Sequence, residues 1–433
     1  MMYSMYGIQI QRRMPMRQYR GRILHSIGPD SVEDIRDGLL VVEDDGRISY
    51  CGAVDSVSAQ NVEDLRGRLI IPGLIDVHSH IPQLDERGKH GATLLDWLQK
   101  YIFPAELAFA DPKIARDVSR RFFKKQILNG ITCSGLYSTV HEEATDICFQ
   151  TAAAAGTRCF IGKVMMDVNS PKGLAEKTLE SLAASERLCA KWHGAAGGRL
   201  AYAFTPRFVP TCSMELWRGV GRLARQSGAY IQSHIAETLE ENAKVREMHP
   251  NYRDYVEFME DADVLGAKTI LAHAIYLSDD EMRRLGKSGT KVAHCPTSNF
   301  FLKSGRMSVS RIEAAGIDYS LATDVGAGTA MSLFIEMRHA DYTQPDSSIS
   351  PQKAFYLATL AGAKVMSMEA DVGNFQPGKY ADFSILDING IDRNYSLAGM
   401  DTDELLSLLM YRGDGRAIER VYVAGSRLDV DSF

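Results

Sequence analysis

The chain has 433 residues, a net charge of −6, 45% hydrophobic and 24% charged side chains. That balance is globular, and with no basic stripe it excludes nucleic acid as an expected partner. Seven cysteines, odd in number and irregularly spaced, argue against a disulfide framework and for reduced thiols in a cytoplasmic compartment. No apolar stretch approaches the ~18 residues of a membrane span, so no membrane partner is expected.

The first residues carry Arg12, Arg13, Arg17, Arg20 and Arg22 but no continuous apolar segment of a secretory signal, and predict a flexible arm over residues 1–20. Short strands follow. Gly38–Val42 and Arg47–Tyr50 flank Glu43-Asp44-Asp45-Gly46, and Asp-Gly between two strand-like runs predicts a hairpin. The run from Leu69 through Ile70-Ile71-Pro72-Gly73-Leu74-Ile75-Asp76-Val77-His78-Ser79-His80 reads as one buried strand. From there strand and helix alternate. Asp111-Pro112 opens a helix with Ile114, Val118 and Phe122 at spacing four, closing near Gly130.

Further strands are predicted at 131–137, 159–166, 200–205, 230–233, 269–272, 291–294 and 319–323. Eight strand–helix units suit a parallel barrel better than an open sheet. Short strands return after Gly373, at 381–386 and 420–424. The expected fold is an α/β chain. A (β/α)8 TIM-like barrel over residues 71–372 carries a small β-sandwich built from both chain ends, 1–70 and 373–433.

In such a barrel, reactive groups gather at the C-terminal ends of the strands. Strand one ends in His78 and His80, strand five in Gln232-Ser233-His234-Ile235-Ala236-Glu237, strand six in His273 and strand eight in Asp324. Residues two apart on a strand face the same way, so His78 and His80 can share one metal ion. Each polar residue alone could be a cap or a hydrogen-bonding group; four strands ending this way together point to a metal centre. Three imidazoles and a carboxylate suit Zn²⁺, and the same ligands accept Fe²⁺ or Mn²⁺. Glu237, just beyond His234, is the candidate proton shuttle.

These motifs together resemble the amidohydrolase superfamily. Within it, the runs Leu94–Glu106, Gly162–Asp167, Thr205–Phe208, Gln232–His234 and His294–Asn299 resemble the guanine deaminase branch, with the likeness running from about Arg22 to Leu428. The resemblance implies one zinc per chain, held by His78, His80, His234 and Asp324, with Fe²⁺ as an alternative. It implies Glu237, Asp324 and His273 as catalytic residues, His273 also touching substrate. It further implies a pocket of Gln83, Arg207, Phe208 and Trp97 for a small purine-like substrate, and a homodimeric enzyme. The implied reaction is hydrolytic deamination of guanine to xanthine and ammonia. The same chemistry on a pterin, 8-oxoguanine or triazine is the alternative, and a metal-free scaffold is the non-enzyme alternative. The chain departs from the pattern after His80. Ile81-Pro82-Gln83 stands where Ala-Ser-Gln is expected, and the charged run Leu84–Gly91 is expected to form part of the pocket wall or a lid.

Overall fold

The computed structural model describes residues 16–56, 61–91, 94–344, 347–392 and 395–433. Of the arm expected over residues 1–20, residues 1–15 lie outside the described residues, and the remainder is sheet rather than arm. Strand β1 (Arg17–Gly28) begins at Arg17. Its arginines are matched by acids on the neighbouring β2 (Ser31–Val42): Arg20 pairs with Asp37 at 2.6 Å and the buried Arg22 with Asp34 at 2.5 Å. The hairpin expected at Asp45-Gly46 joins β2 to β3 (Ile48–Ala53), antiparallel, with Gly46 at φ 81° in the turn.

The run expected as one strand from Leu69 to His80 is two. Strand β4 (Val62–Pro72) runs alongside β1, and β5 (Leu74–His80) opens the barrel. Gly73 makes the change between sheets. Its N–H donates to the Asp382 carbonyl, and a Cβ there would stand 2.0 Å from Thr132 Oγ1, so only glycine lets the backbone pass.

The barrel continues through β6 (Ile131–Tyr137), β7 (Arg158–Gly162), the two-residue β8 (Val164–Met165), β9 (Leu200–Pro206), β10 (Tyr230–Ile235), β11 (Thr269–His273), β12 (Lys291–His294) and β13 (Tyr319–Leu321). All ladders are parallel, in the order β5-β6-β7-β9-β10-β11-β12-β13, with β8 beside β9. The expected strand 159–166 is broken at Lys163, whose buried ammonium turns aside to Glu176 at 2.6 Å. The seam between β13 and β5 is closed just beyond β13 by the Asp324 N–H donating to the His78 carbonyl at 3.0 Å and by the Asp76 side chain. Asp76, fully buried and with its pKa pushed up to about 7 by that burial, accepts from Thr323 N at 2.9 Å and Thr323 Oγ1 at 2.5 Å.

Between barrel and outer helices lies the main apolar core, and small or medium residues such as Val77, Ala203, Ala272, Ala293 and Ala322 form a second cluster. The helix Pro112–Leu128 starts at the Asp111 cap as expected, but its buried stripe is Ala115, Val118, Phe122, Phe123 and Ile127. Ile114, expected on that stripe, is exposed. A helical face buries residues three and four apart in turn, and a strict spacing of four drifts off it.

The chain ends with β14 (Phe383–Leu386), β15 (Ile418–Val423) and β16 (Ser426–Arg427). With the N-terminal strands these make a second, seven-stranded sheet built from both chain ends, β16-β15-β14-β4-β1-β2-β3. The sheet curls back on itself. Arg47, beside edge strand β3, bridges to Tyr380, just ahead of β14. Tyr19, Ile23, Leu40, Ile70, Phe383 and Tyr422 pack in the fold so formed. Asp382, next to β14, pairs with the buried Arg158 of β7 at 3.0 Å and so ties sheet to barrel. No helix among the described residues is long and apolar enough to cross a membrane.

Candidate active site

The strand ends converge. His78 Nε2 and His80 Nε2 each lie 3.2 Å from Asp324 Oδ1, and His80 Nε2 lies 3.3 Å from His234 Nε2. Backbone geometry helps to bring them together: Ala236, His273 and Asp324 all adopt positive φ, at 50°, 75° and 44°. Such conformations cost energy outside glycine and collect at functional sites. His234 Nδ1 lies 2.8 Å from the Arg207 carbonyl, which can only accept; Nδ1 therefore carries the proton and Nε2 is left as a bare lone pair.

These residues fit a divalent cation. His78 Nε2 and His80 Nε2 crowd one oxygen of Asp324, and the bare His234 Nε2 lies 3.3 Å from His80 Nε2. A cation among these atoms would take the His234 lone pair and share the carboxylate. Burial pushes the His78 pKa down to about 4 and that of His234 well below its ordinary value. Both imidazoles are therefore neutral and ready to ligate at neutral pH. Burial opposes the charge on Asp324, but the neighbouring imidazoles outweigh it and hold its carboxyl well below the usual range.

Glu237 and His273 stand beside this cluster. His273 Nε2 is 3.6 Å from Glu237 Oε2 and 4.0 Å from Asp324 Oδ2, and its Nδ1 bonds Asn299 Oδ1 at 2.8 Å. Burial disfavours a charged His273, yet the Glu237 and Asp324 carboxylates prevail and raise its pKa. Ser304 Oγ donates to Glu237 Oε1 at 2.7 Å, and Glu241 Oε2 accepts the Glu237 backbone N–H at 2.8 Å. Cys295 is buried nearby. Burial pushes its thiol well up, and Sγ points to the Ala293 carbonyl at 3.6 Å.

A cavity opens over the cluster, lined by His80, Gln83, Leu94, Trp97, Leu98, Arg207, Phe208, His234, Glu237, Glu241, His273, Leu302, Asp324 and Ala327. All four residues expected in the pocket (Gln83, Arg207, Phe208 and Trp97) are in this wall. The charged run after Gln83 is not; the lining passes from Gln83 directly to Leu94. Its charges are drawn outward. Asp85 takes a two-pronged bond from Arg121, at 2.7 and 2.8 Å, and Glu86 pairs with Lys89 at 2.8 Å. The Lys89 carbonyl supports the pocket wall by accepting Trp97 Nε1–H at 2.9 Å. Among the described residues this run backs the wall through Trp97 and is not part of the cavity lining.

The sequence reading missed three residues of this constellation. Glu106, 1% exposed, takes both contacts of Arg207 Nη1, at 2.8 and 2.6 Å, and the amide N–H of Gln83 at 3.1 Å. Ser304 and Asn299 orient Glu237 and His273. Glu106 and Asn299 both fall in runs that carried the family resemblance, and a buried acid there is the signal that went unread. Gly326 is a fourth contributor. At φ 120°, a Cβ on it would stand 2.0 Å from Gln83 Oε1.

Residues 69–428 match the family described as Amidohydrolase family. The chain is also 34% identical over 406 residues to a guanine deaminase of Escherichia coli (strain K12), covering 90% of this chain and 91% of that one. The chain belongs to the amidohydrolase family, in its guanine deaminase branch. Amidohydrolases are metal-dependent, and among the described residues two overlapping groups could hold an ion: His78, His80 and His234, and His78, His273, Cys295 and Asp324. A solved guanine deaminase from C. acetobutylicum, with guanine bound in its active site, superposes with a TM-score of 0.89 at 32% identity, covering 96% of this chain and 100% of that one. An adenosine deaminase from Xanthomonas campestris with bound zinc, 22% identical, covers 95% of this chain and 92% of its own at a TM-score of 0.84. At that identity the likeness is one of fold.

Proposed function

We propose that this amidohydrolase deaminates guanine to xanthine and ammonia, with one Zn²⁺ per chain held by His78, His80, His234 and Asp324. The observation that carries the reading is the convergence of those four groups beside Glu237 and His273, under a wall that contains Gln83, Arg207 and Phe208. Guanine deaminases at 34% and 32% identity, matched over nearly the whole chain, support the same substrate. With the charged run turned outward, no observation favours the pterin, 8-oxoguanine or triazine alternatives.

An ion held by His78, His80, His234 and Asp324 would supply Lewis-acid chemistry when bound. Water adds to C2 of guanine. Glu237 takes one of its protons and returns it to a ring nitrogen. The second proton follows to the amine, the C2–N bond breaks, and C2 is left as a carbonyl of xanthine with ammonia released. His273, held by Asn299 with Nε2 between Glu237 and Asp324, faces the oxygen on which charge develops. Arg207 donates to O6 and Phe208 offers its ring face. A cytoplasmic homodimer is part of this proposal, its assembly testable by sedimentation. Ammonia release by the metal-loaded protein from guanine, adenine, a pterin and a triazine tests the reaction. Ammonia from guanine is expected, and its absence overturns the reading.

A further inference from the structure

Gln83 and Arg207 are joined by a group that the proposed reaction does not use. The Glu106 carboxylate, buried on the helix Phe103–Ala108, binds Arg207 Nη1 through both oxygens and Gln83 Nε2 through Oε1. A carboxylate only accepts hydrogen bonds. The Gln83 amide therefore has one stable orientation, N–H toward Glu106, and its oxygen is the group left for the cavity that Gln83 lines. Were the amide reversed, two oxygens would face each other in a buried site, which is costly. Arg207 spends only Nη1 on Glu106, leaving Nη2 and Nε outside the pair. The common partner also makes the two side chains neighbours, since both reach Glu106 Oε1, at 3.1 and 2.8 Å.

We propose that Glu106 is a specificity-determining positioning residue, which fixes one edge of the pocket as an acceptor from Gln83 beside a donor from Arg207. That edge selects a heterocycle in which a carbonyl adjoins a ring N–H. Guanine presents this pair as O6 and N1–H. A ring with an amino group at position 6 presents the reverse, a donor beside a bare nitrogen. Discrimination of this kind is strong when the site's own polar groups are left unpaired. The inference rests on the proposed reading of the substrate and adds the residue that sets the polarity.

The test uses the metal-loaded full chain and two substrates, guanine and 2,6-diaminopurine. Both carry the amino group at C2 that leaves; they differ in the polarity of the 1,6 edge. Wild-type turnover of guanine tests the proposed function by itself, so its failure is distinguishable from failure here. Glu106→Gln keeps the shape but can donate as well as accept, which frees the Gln83 amide to reverse. We expect kcat/KM on guanine to fall and the guanine to 2,6-diaminopurine ratio of kcat/KM to drop about 10-fold or more. Equal loss on both substrates would show Glu106 to be a structural counter-ion only, and an unchanged ratio likewise overturns the proposal. If Glu106→Gln does not fold, Gln83→Met leaves the Glu106–Arg207 pair intact and removes the oriented amide. The same ratio must then drop, and a ratio equal to wild type refutes the proposal.

Discussion

Replacing Glu237 by Gln separates proton transfer from everything else in the site. Oε1 of Glu237 is held by Ser304 Oγ at 2.7 Å, and Oε2 faces His273 Nε2 at 3.6 Å. The amide oxygen of Gln retains the Ser304 bond, so position and volume are preserved. What is lost is the ability to take and return a proton. General acid–base work contributes about 10² to 10⁴ in rate, roughly 3–5 kcal/mol of barrier at about 1.4 kcal/mol per decade. The metal ligands are untouched, and metal content should remain at one per chain. Ser304→Ala is the graded control. It removes one hydrogen bond to a carboxylate, worth about 1.5–3 kcal/mol, and should slow turnover by about 10- to 100-fold while leaving the proton acceptor in place. Xanthine formation followed by absorbance, with metal measured by elemental analysis on the same sample, reads both quantities. Unchanged turnover in Glu237→Gln refutes the shuttle. Loss of metal in step with activity refutes it too, by making Glu237 a ligand.

The remaining predictions address metal, substrate and pH. His78→Ala or Asp324→Ala should lose bound metal and activity together, read by elemental analysis and ammonia release; an active, metal-free preparation sinks the metal reading. Wild type should deaminate guanine and barely touch adenine, by a gap of up to about 10⁴-fold. Arg207→Ala should narrow that gap mainly by slowing guanine, and should lower the melting temperature because Glu106 is left as an unpaired buried charge. Glu336 is fully buried, and burial raises its pKa to about 8. Because the folded pKa lies above the unfolded one, the native state binds more protons between them, and stability falls as pH rises from the ordinary carboxylate range to about 8. Glu336→Gln should therefore match wild type in melting temperature near pH 4 and exceed it near pH 9; parallel pH profiles would contradict this.

The metal cluster was legible because its members all stand at C-terminal strand ends, and a strand's period of two puts His78 and His80 on one side without knowledge of the fold. Glu106 was not, for the opposite reason. It sits 101 residues from Arg207, and a Glu on a helix after Pro104 looks like any first-turn carboxylate until the packing buries it. The arginines of β1 misled in a similar way. A basic stretch at a chain end reads as an arm, and only the pairing with β2 shows that Asp34 and Asp37 neutralise Arg22 and Arg20. The charged run 84–91 was visible in the sequence, but its direction was not, because Arg121 lies on a helix that sequence proximity does not bring near. The curl of the small sheet depends on a bridge between Arg47 and Tyr380, partners more than 300 residues apart.

The passage of the chain through Gly73 has a bearing on how the barrel could be handled as a separate object. The strand that delivers His78 and His80 is fed without a loop from β4, which lies between β14 and β1 in the seven-stranded sheet. Excising the barrel by cutting here and again ahead of β14 would release the leading end of β5, whose Gly73 N–H bonds the Asp382 carbonyl, and leave Arg158 without its buried counter-ion Asp382. The hydrolase barrel is thus not a cassette that can be lifted out and grafted. Its first histidine strand is moored to a platform built from both chain ends, and the two must be inherited, expressed and redesigned as one body.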